Sequence, residues 1–143
     1  ISGDFIVGFP GETEADFESS LNIVDEVRYA SAFSFKYSPR PGTPAASMEK
    51  QIPADVMEDR LQRLQARLAD HSIAFNRSCI GRETRILIDR KGRKPGQMIG
   101  KSPWLQSVFV ETGAAIGEMV DVRINSALPN SLGGSLARRA VAA

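Results

Sequence analysis

The chain has 143 residues, one Cys, one His and a formal net charge of +1, which suits one ordinary domain or two small ones. A lone Cys excludes an internal disulfide and any iron–sulfur cluster or thiolate zinc site built from this chain alone, and a lone His excludes multi-histidine metal sites. No apolar run approaches the roughly 18–20 residues that span a membrane, and Ile1-Ser2-Gly3-Asp4 lacks the basic start and apolar stretch of a signal peptide.

The cysteine usage is compatible with a cytoplasmic protein, which is the expected location. Opening on Ile1, inside a strand pattern, the chain reads as a piece of a longer protein. The small net charge conceals an asymmetry. Residues 1–81 carry 8 Lys/Arg against 12 Asp/Glu, and residues 82–143 carry 10 against 5. Such a division suggests two units with different partners.

Asp4-Phe5-Ile6-Val7-Gly8-Phe9 is a short apolar run that breaks at Pro10-Gly11, as a buried strand with a sharp exit does. Thr13 then offers an N-cap oxygen. Glu12, Glu14 and Asp16 put negative charge where a helix N-terminus favours it. Phe17, Leu21, Val24 and Val27 recur at helical spacing, and the helix should end near Arg28-Tyr29. Residues 32–37 alternate with period two, so a second strand follows. Strand, helix, strand with short links is a βαβ unit with parallel strands.

Ser38-Pro39-Arg40-Pro41-Gly42-Thr43-Pro44 is too rich in Pro to be helix or sheet interior. It forms a stiff loop at the carboxyl end of the second strand, the end where parallel α/β folds bind ligands. A long helix over 53–79 follows, with Pro53 in its first turn and Gly81 as its stop. Met57, Leu61, Leu64, Leu68, Phe75 and Cys79 mark its apolar seam. His71 reads as a solvated helix residue, and Cys79 as a core residue.

Beyond the helix the pattern changes. Short β-type runs at 84–89, 97–99, 107–111, 119–125 and 132–136 predict a small closed all-β barrel. Arg90, Lys91, Arg93 and Lys94 cluster around Gly92 before Pro95-Gly96, on what should be a mobile hairpin loop. With Arg82, Arg85, Lys101 and Trp104 they make a candidate RNA footprint, since cations neutralise phosphates and an aromatic accepts an unstacked base. Trp104 also fits a plug for the barrel interior. Residues 137–143 show no packing pattern and should fray.

Two stretches resemble a known family. Residues Asp4 to Thr13, followed by Phe33-Ser34-Phe35-Lys36-Tyr37-Ser38-Pro39-Arg40-Pro41-Gly42-Thr43-Pro44-Ala45, resemble the last part of the radical SAM barrel of methylthiotransferases. Gly117-Glu118-Met119-Val120-Asp121-Val122, then Pro129-Asn130-Ser131-Leu132, resembles the end of a TRAM domain, an RNA-binding β-barrel. Ser102-Pro103-Trp104-Leu105-Gln106-Ser107-Val108 resembles the MiaB-type branch, which acts on tRNA. The resemblance implies a partial α/β barrel over residues 1–48, a connecting helix over 49–80, an OB-like TRAM barrel over 81–138 and a tail over 139–143.

The implied activity of the parent enzyme is methylthiolation of carbon 2 of N6-isopentenyladenosine beside the tRNA anticodon. The implied cofactors are S-adenosyl-L-methionine (SAM) and two 4Fe-4S clusters. The cysteines that hold both clusters are absent here, so the chain alone should be inactive, with no catalytic or metal-binding residue of its own. Its expected partners are tRNA and the missing N-terminal part of the protein, with no membrane. A ribosomal-protein aspartate methylthiotransferase and a non-catalytic RNA-binding module are the alternatives.

The resemblance places the strand ending at Gly8 beside SAM. Ile6 could then pack on its adenine while Gly8 and Gly11 let the backbone approach closely. Glu12 joins this set, although a helix N-terminus alone accounts for an acid there. Arg40, fixed between two prolines, could grip the SAM carboxylate or an anionic part of tRNA, or anchor its loop through a salt bridge. The family pattern has Arg where Gly133 stands, so one cation expected on the barrel is missing.

Overall fold

The computed structural model describes residues 1–137. The tail expected to fray lies, from residue 138 on, outside the described residues. The chain divides into two compact units, Ile1–Ser72 and Ile73–Ala143.

In the first unit β1 (Ser2–Val7) and β2 (Ser31–Lys36) pair in parallel, from Ser2 opposite Ser31 to Val7 opposite Lys36. Helix α1 (Glu14–Val27) joins them. It starts at a capping box, in which Asp16 N–H donates to Thr13 Oγ1 and Thr13 N–H donates to the Asp16 carboxylate, at 3.2 and 2.9 Å. Two otherwise orphaned amides are thereby satisfied. A 3₁₀ turn (Pro44–Ser47) follows the proline-rich loop, and then comes helix α2 (Ala54–Ser78). Leu64 and Leu68 of α2 pack with Val7, Phe17, Leu21 and Val24 to form the core of this unit. On its two-stranded sheet Ile6, Phe33 and Phe35 stay 61%, 69% and 55% exposed.

The second unit is a closed five-stranded barrel of order β3-β4-β5-β7-β6, with β6 returning to pair with β3. The strands are β3 (Glu83–Lys91), β4 (Gln97–Lys101), β5 (Ser107–Glu111), β6 (Met119–Leu128) and β7 (Ser131–Leu136). Pairing is antiparallel except between β5 and β7, which run parallel over 107–109 and 131–133. Alternate residues point inward, as period two requires. Ile86, Ile88, Val108, Val110, Val122 and Ile124 therefore meet in the core with Cys79 and Leu132. A Cβ at Gly100 would lie 2.8 Å from Leu87 O and 2.9 Å from Ile86 Cδ1, so the contact between β3 and β4 needs glycine there.

Three expectations change. The helix seam is not continuous: Leu64 and Leu68 belong to the first core, whereas Cys79 lies past the end of α2 in the barrel core. β3 runs on to Lys91, because after a bulge between Ile88 and Arg90 the ladder resumes with Arg90 opposite Ile99 and Lys91 opposite Met98. Arg90 and Lys91 are thus strand residues, and the hairpin turn carries Arg93 and Lys94. His71 is not solvated: its side chain is 18% exposed, with Nε2 2.7 Å from Asp25 Oδ1. Among the described residues no helix is long and apolar enough to cross a membrane.

Candidate ligand cleft and nucleic-acid interface

The carboxyl ends of β1 and β2 open into a cleft of about 610 Å³ whose lining includes Ile6, Phe9, Phe35, Tyr37 and Arg40. Phe9 and Tyr37 meet edge to face, with centroids 5.3 Å apart. Tyr37 Oη is buried and has no hydrogen-bond partner among the described residues. Arg40 is exposed and makes no ion pair among the described residues. Its loop is held by its backbone instead: Thr43 Oγ1–H and N–H donate to Arg40 O at 2.8 and 3.2 Å. Lys36 is engaged by Glu58 at 2.6 Å. That contact holds the Glu58 carboxyl below its ordinary range.

Of the five expected ligand contacts, the cleft brings together Ile6 and Arg40. Gly8, Gly11 and Glu12 are not part of its lining. Gly8 has φ +77°, and a Cβ on it would stand 2.2 Å from Met57 Cγ. The room that glycine leaves is filled by α2. Gly11 has φ +88° and donates its N–H to Lys50 O at 3.0 Å. Glu12 turns inward: its Oε1 accepts from Gly8 N–H at 3.1 Å and from Arg60 Nη1 at 2.7 Å.

Arg60 is the residue that sequence reasoning missed. It is 5% exposed. Besides Glu12 it reaches Glu14 Oε2 at 3.3 Å, and its guanidinium carbon lies 5.7 Å from the Phe17 ring centroid. Arg63 adds a second contact to Glu14 at 2.7 Å, and this hydrogen bond lowers the Glu14 pKa. A signal was present: Arg60, Leu64 and Leu68 share one helical stripe, and an Arg on an apolar stripe calls for a buried acid.

On the barrel the eight expected RNA contacts fall into different states. Arg82, Lys91, Arg93 and Lys94 are exposed and make no side-chain ion pair among the described residues. Arg85 grips Asp121 through two hydrogen bonds of 2.8 and 3.2 Å, which raises the Arg85 pKa. Arg90 pairs with the adjacent Asp89 at 2.9 Å. Lys101 is half-buried and donates to Ser107 Oγ at 3.0 Å. Trp104 does not fill the barrel. It is 39% exposed and rests edge-on against Phe75, with centroids 6.1 Å apart. The uncompensated positive charge is therefore concentrated at Lys91 and the turn after it.

A polar network that the sequence did not suggest holds the loop of Trp104. Asn76, 2% exposed, donates from Nδ2 to Leu128 O at 2.8 Å and Pro129 O at 3.2 Å. Its Oδ1 accepts from Gln106 Nε2. Buried Ser102 Oγ in turn accepts from the backbone N–H groups of Trp104 and Gln106.

A closed five-stranded barrel with a cationic hairpin suits a nucleic-acid-binding module. Residues 77–137 match the TRAM domain family. Over 136 residues, 95% of the chain, it is 62% identical to a tRNA-2-methylthio-N(6)-dimethylallyladenosine synthase of Erythrobacter litoralis, of which it covers 30%. A synthase of the same name from Sphingopyxis alaskensis is 66% identical over 134 residues, and one from Zymomonas mobilis 58%. The chain corresponds to one segment of these synthases and spans about 30% of their length. The match to the TRAM domain family lies in the carboxyl-terminal part of that segment.

Proposed function

We propose that the chain is the carboxyl-terminal part of a tRNA-modifying enzyme that methylthiolates carbon 2 of N6-isopentenyladenosine at position 37, beside the anticodon. In this reading the TRAM barrel holds tRNA and the βαβ unit, a remnant of a radical SAM barrel, forms part of the wall around SAM and the target base. The observation that carries the proposal is the 62% identity over 136 residues to a synthase of that name, in a chain whose carboxyl-terminal unit is a TRAM barrel. The setting is the cytoplasm, where its tRNA substrate is found.

The residues fit one implied cofactor and not the other. The cleft has the size of a nucleoside-ligand site. Ile6 offers an exposed apolar face to an adenine, and Arg40 an unpaired guanidinium to a carboxylate. SAM bound there would supply the radical on taking an electron from a cluster held elsewhere in the protein, and a second SAM would supply the methyl group. Iron–sulfur clusters do not fit. Cys79, the chain's single thiol, is enclosed in the barrel core with Sγ 3.4 Å from Phe75 O. Among the described residues no three His, Cys, Asp or Glu are grouped to hold a metal. The 4Fe-4S ligands are assigned to the remaining 70% of the protein, and the exposed Phe33 and Phe35 to the surface that it covers.

The test uses the whole protein that contains this segment, expressed in cells lacking their own synthase. Nucleoside mass spectrometry of tRNA should show the methylthio group at position 37. Deleting the barrel should abolish it, while SAM cleavage by the purified remainder persists. Full modification without the barrel would refute the tRNA-holding role.

A further inference from the structure

The barrel carries a second feature, separate from the basic hairpin. β5 and β7 are paired only as far as Phe109 opposite Gly133, and beyond that register they part. Where β6 pairs with β7 it carries a bulge between Ile124 and Ser126. The strands leave a groove of about 660 Å³, lined among others by Gln97, Phe109, Glu111, Asn125, Ser126 and Gly133. Its floor depends on glycine, because a Cβ at Gly133 would lie 2.3 Å from Ser126 Oγ.

We propose that this groove is a nucleobase-accepting subsite for single-stranded RNA, and this rests on the RNA-binding reading of the TRAM domain. Three observations select that occupant. Phe109 is half-buried in the groove wall and gives one aromatic surface for stacking. Around it stand groups suited to a base edge, one of them a carboxylate that disfavours phosphate. Asn125 donates to Ser135 Oγ at 2.9 Å, leaving its Oδ1 open, while the Ser126 hydroxyl and the Glu111 carboxylate have no side-chain partner among the described residues. A carboxylate repels phosphate and accepts hydrogen bonds from the amino and imino groups of a base.

The groove also adjoins the cationic hairpin. Gln97 lines it, while Gln97 Oε1 accepts from Lys94 N–H at 3.5 Å and would stand 2.5 Å from a Cβ on Gly92. A strand whose phosphates meet Lys91, Arg93 and Lys94 could thus turn a base into the groove without leaving the barrel.

The test compares two probes of equal charge on the 143-residue chain: hexaadenylate and the matching abasic ribose-phosphate hexamer. Stacking of one base should make the first bind about tenfold more tightly. Phe109→Ala should collapse this ratio toward one and leave the salt dependence unchanged. Ser135→Ile, which fills the groove from its exposed rim, keeps the test valid if Phe109→Ala fails to fold, and should do the same. Ile116→Ala, at an exposed apolar residue outside the groove, should retain the ratio. Equal binding of the two probes by the unaltered chain, with a steep salt dependence, would overturn the groove and leave the cationic hairpin standing. A ratio that survives both Phe109→Ala and Ser135→Ile would also overturn it. Failure of both probes to bind at low salt would overturn the RNA reading together with the groove.

Discussion

Arg60 Nη1 lies 2.7 Å from Glu12 Oε1, and the two side chains are 6% and 11% exposed. The same carboxylate oxygen caps Gly8 N–H, so one guanidinium on α2 fixes the turn between β1 and α1. Removing one partner of a buried pair leaves the other charged and unsatisfied. Arg60→Ala should therefore destabilise the first unit by about 3–5 kcal/mol. The chain allows a clean readout, since its single Trp is in the barrel and α1 and most of α2 are in the first unit. Urea unfolding followed by far-UV circular dichroism should shift, and unfolding followed by Trp104 fluorescence should not. An unshifted dichroism midpoint would show that the pair contributes little.

The barrel has its own buried polar anchor. Asn76→Leu should remove the bonds to Leu128 O and Pro129 O and leave both carbonyls and Gln106 short of a partner. The expected cost is about 2–3 kcal/mol, visible as a lower urea midpoint by Trp104 fluorescence. Asn76→Asp should cost at least as much, because a carboxylate oxygen would replace a donor facing two carbonyls. Stability equal to that of the unaltered chain in both variants would contradict the network.

Acid should weaken the first unit in a defined direction. Hydrogen bonds from Arg63 to Glu14, from Thr13 to Asp16, from His71 to Asp25 and from Lys36 to Glu58 hold all four carboxyls below their ordinary values. A carboxyl whose folded-state pKa is depressed contributes stability above its unfolded value and loses it as pH falls through the folded one. Those unfolded values lie near 3.8 for Asp and 4.5 for Glu. Melting followed by dichroism should accordingly be flat from pH 7 to about 5 and fall below that. Asp25→Asn should make the fall shallower. A melting temperature independent of pH down to 3 would contradict these pairings.

Gly8 carries both a left-handed φ and a steric demand. Gly8→Ala should destabilise the first unit by about 1–3 kcal/mol. Adding Met57→Ala should recover part of the loss, since it removes the atom 2.2 Å from the new Cβ and leaves the φ penalty. Strictly additive losses would show that Met57 does not occupy that space.

The elements were legible because their periods are pure. The helical spacing of Phe17, Leu21 and Val24 and the alternation of Val108, Val110, Val122 and Ile124 each match a buried face. Polar pairing across long sequence separation was not legible. Asn76 looks like an ordinary helix-surface residue, and the stripe that Arg60 shares with Leu64 and Leu68 does not say which acid it meets, until the chain brings residues 46 to 53 positions away against them. The basic cluster was visible as composition, but composition could not show that Asp121 and Asp89 neutralise Arg85 and Arg90. The same limit applies to Gly8, where a turn glycine and a ligand-facing glycine look alike in sequence.

The claim that the free cations of the barrel hold tRNA is tested most directly by titrating the chain with tRNA across a salt series. Each phosphate contact contributes about 0.7–0.9 to the slope of log K against log salt. The slope should therefore flatten by about 2–3 when Lys91, Arg93 and Lys94 become Ala. Arg85→Gln, whose charge is already taken by Asp121, should leave it unchanged. An unaltered slope and affinity in the triple variant would contradict the account.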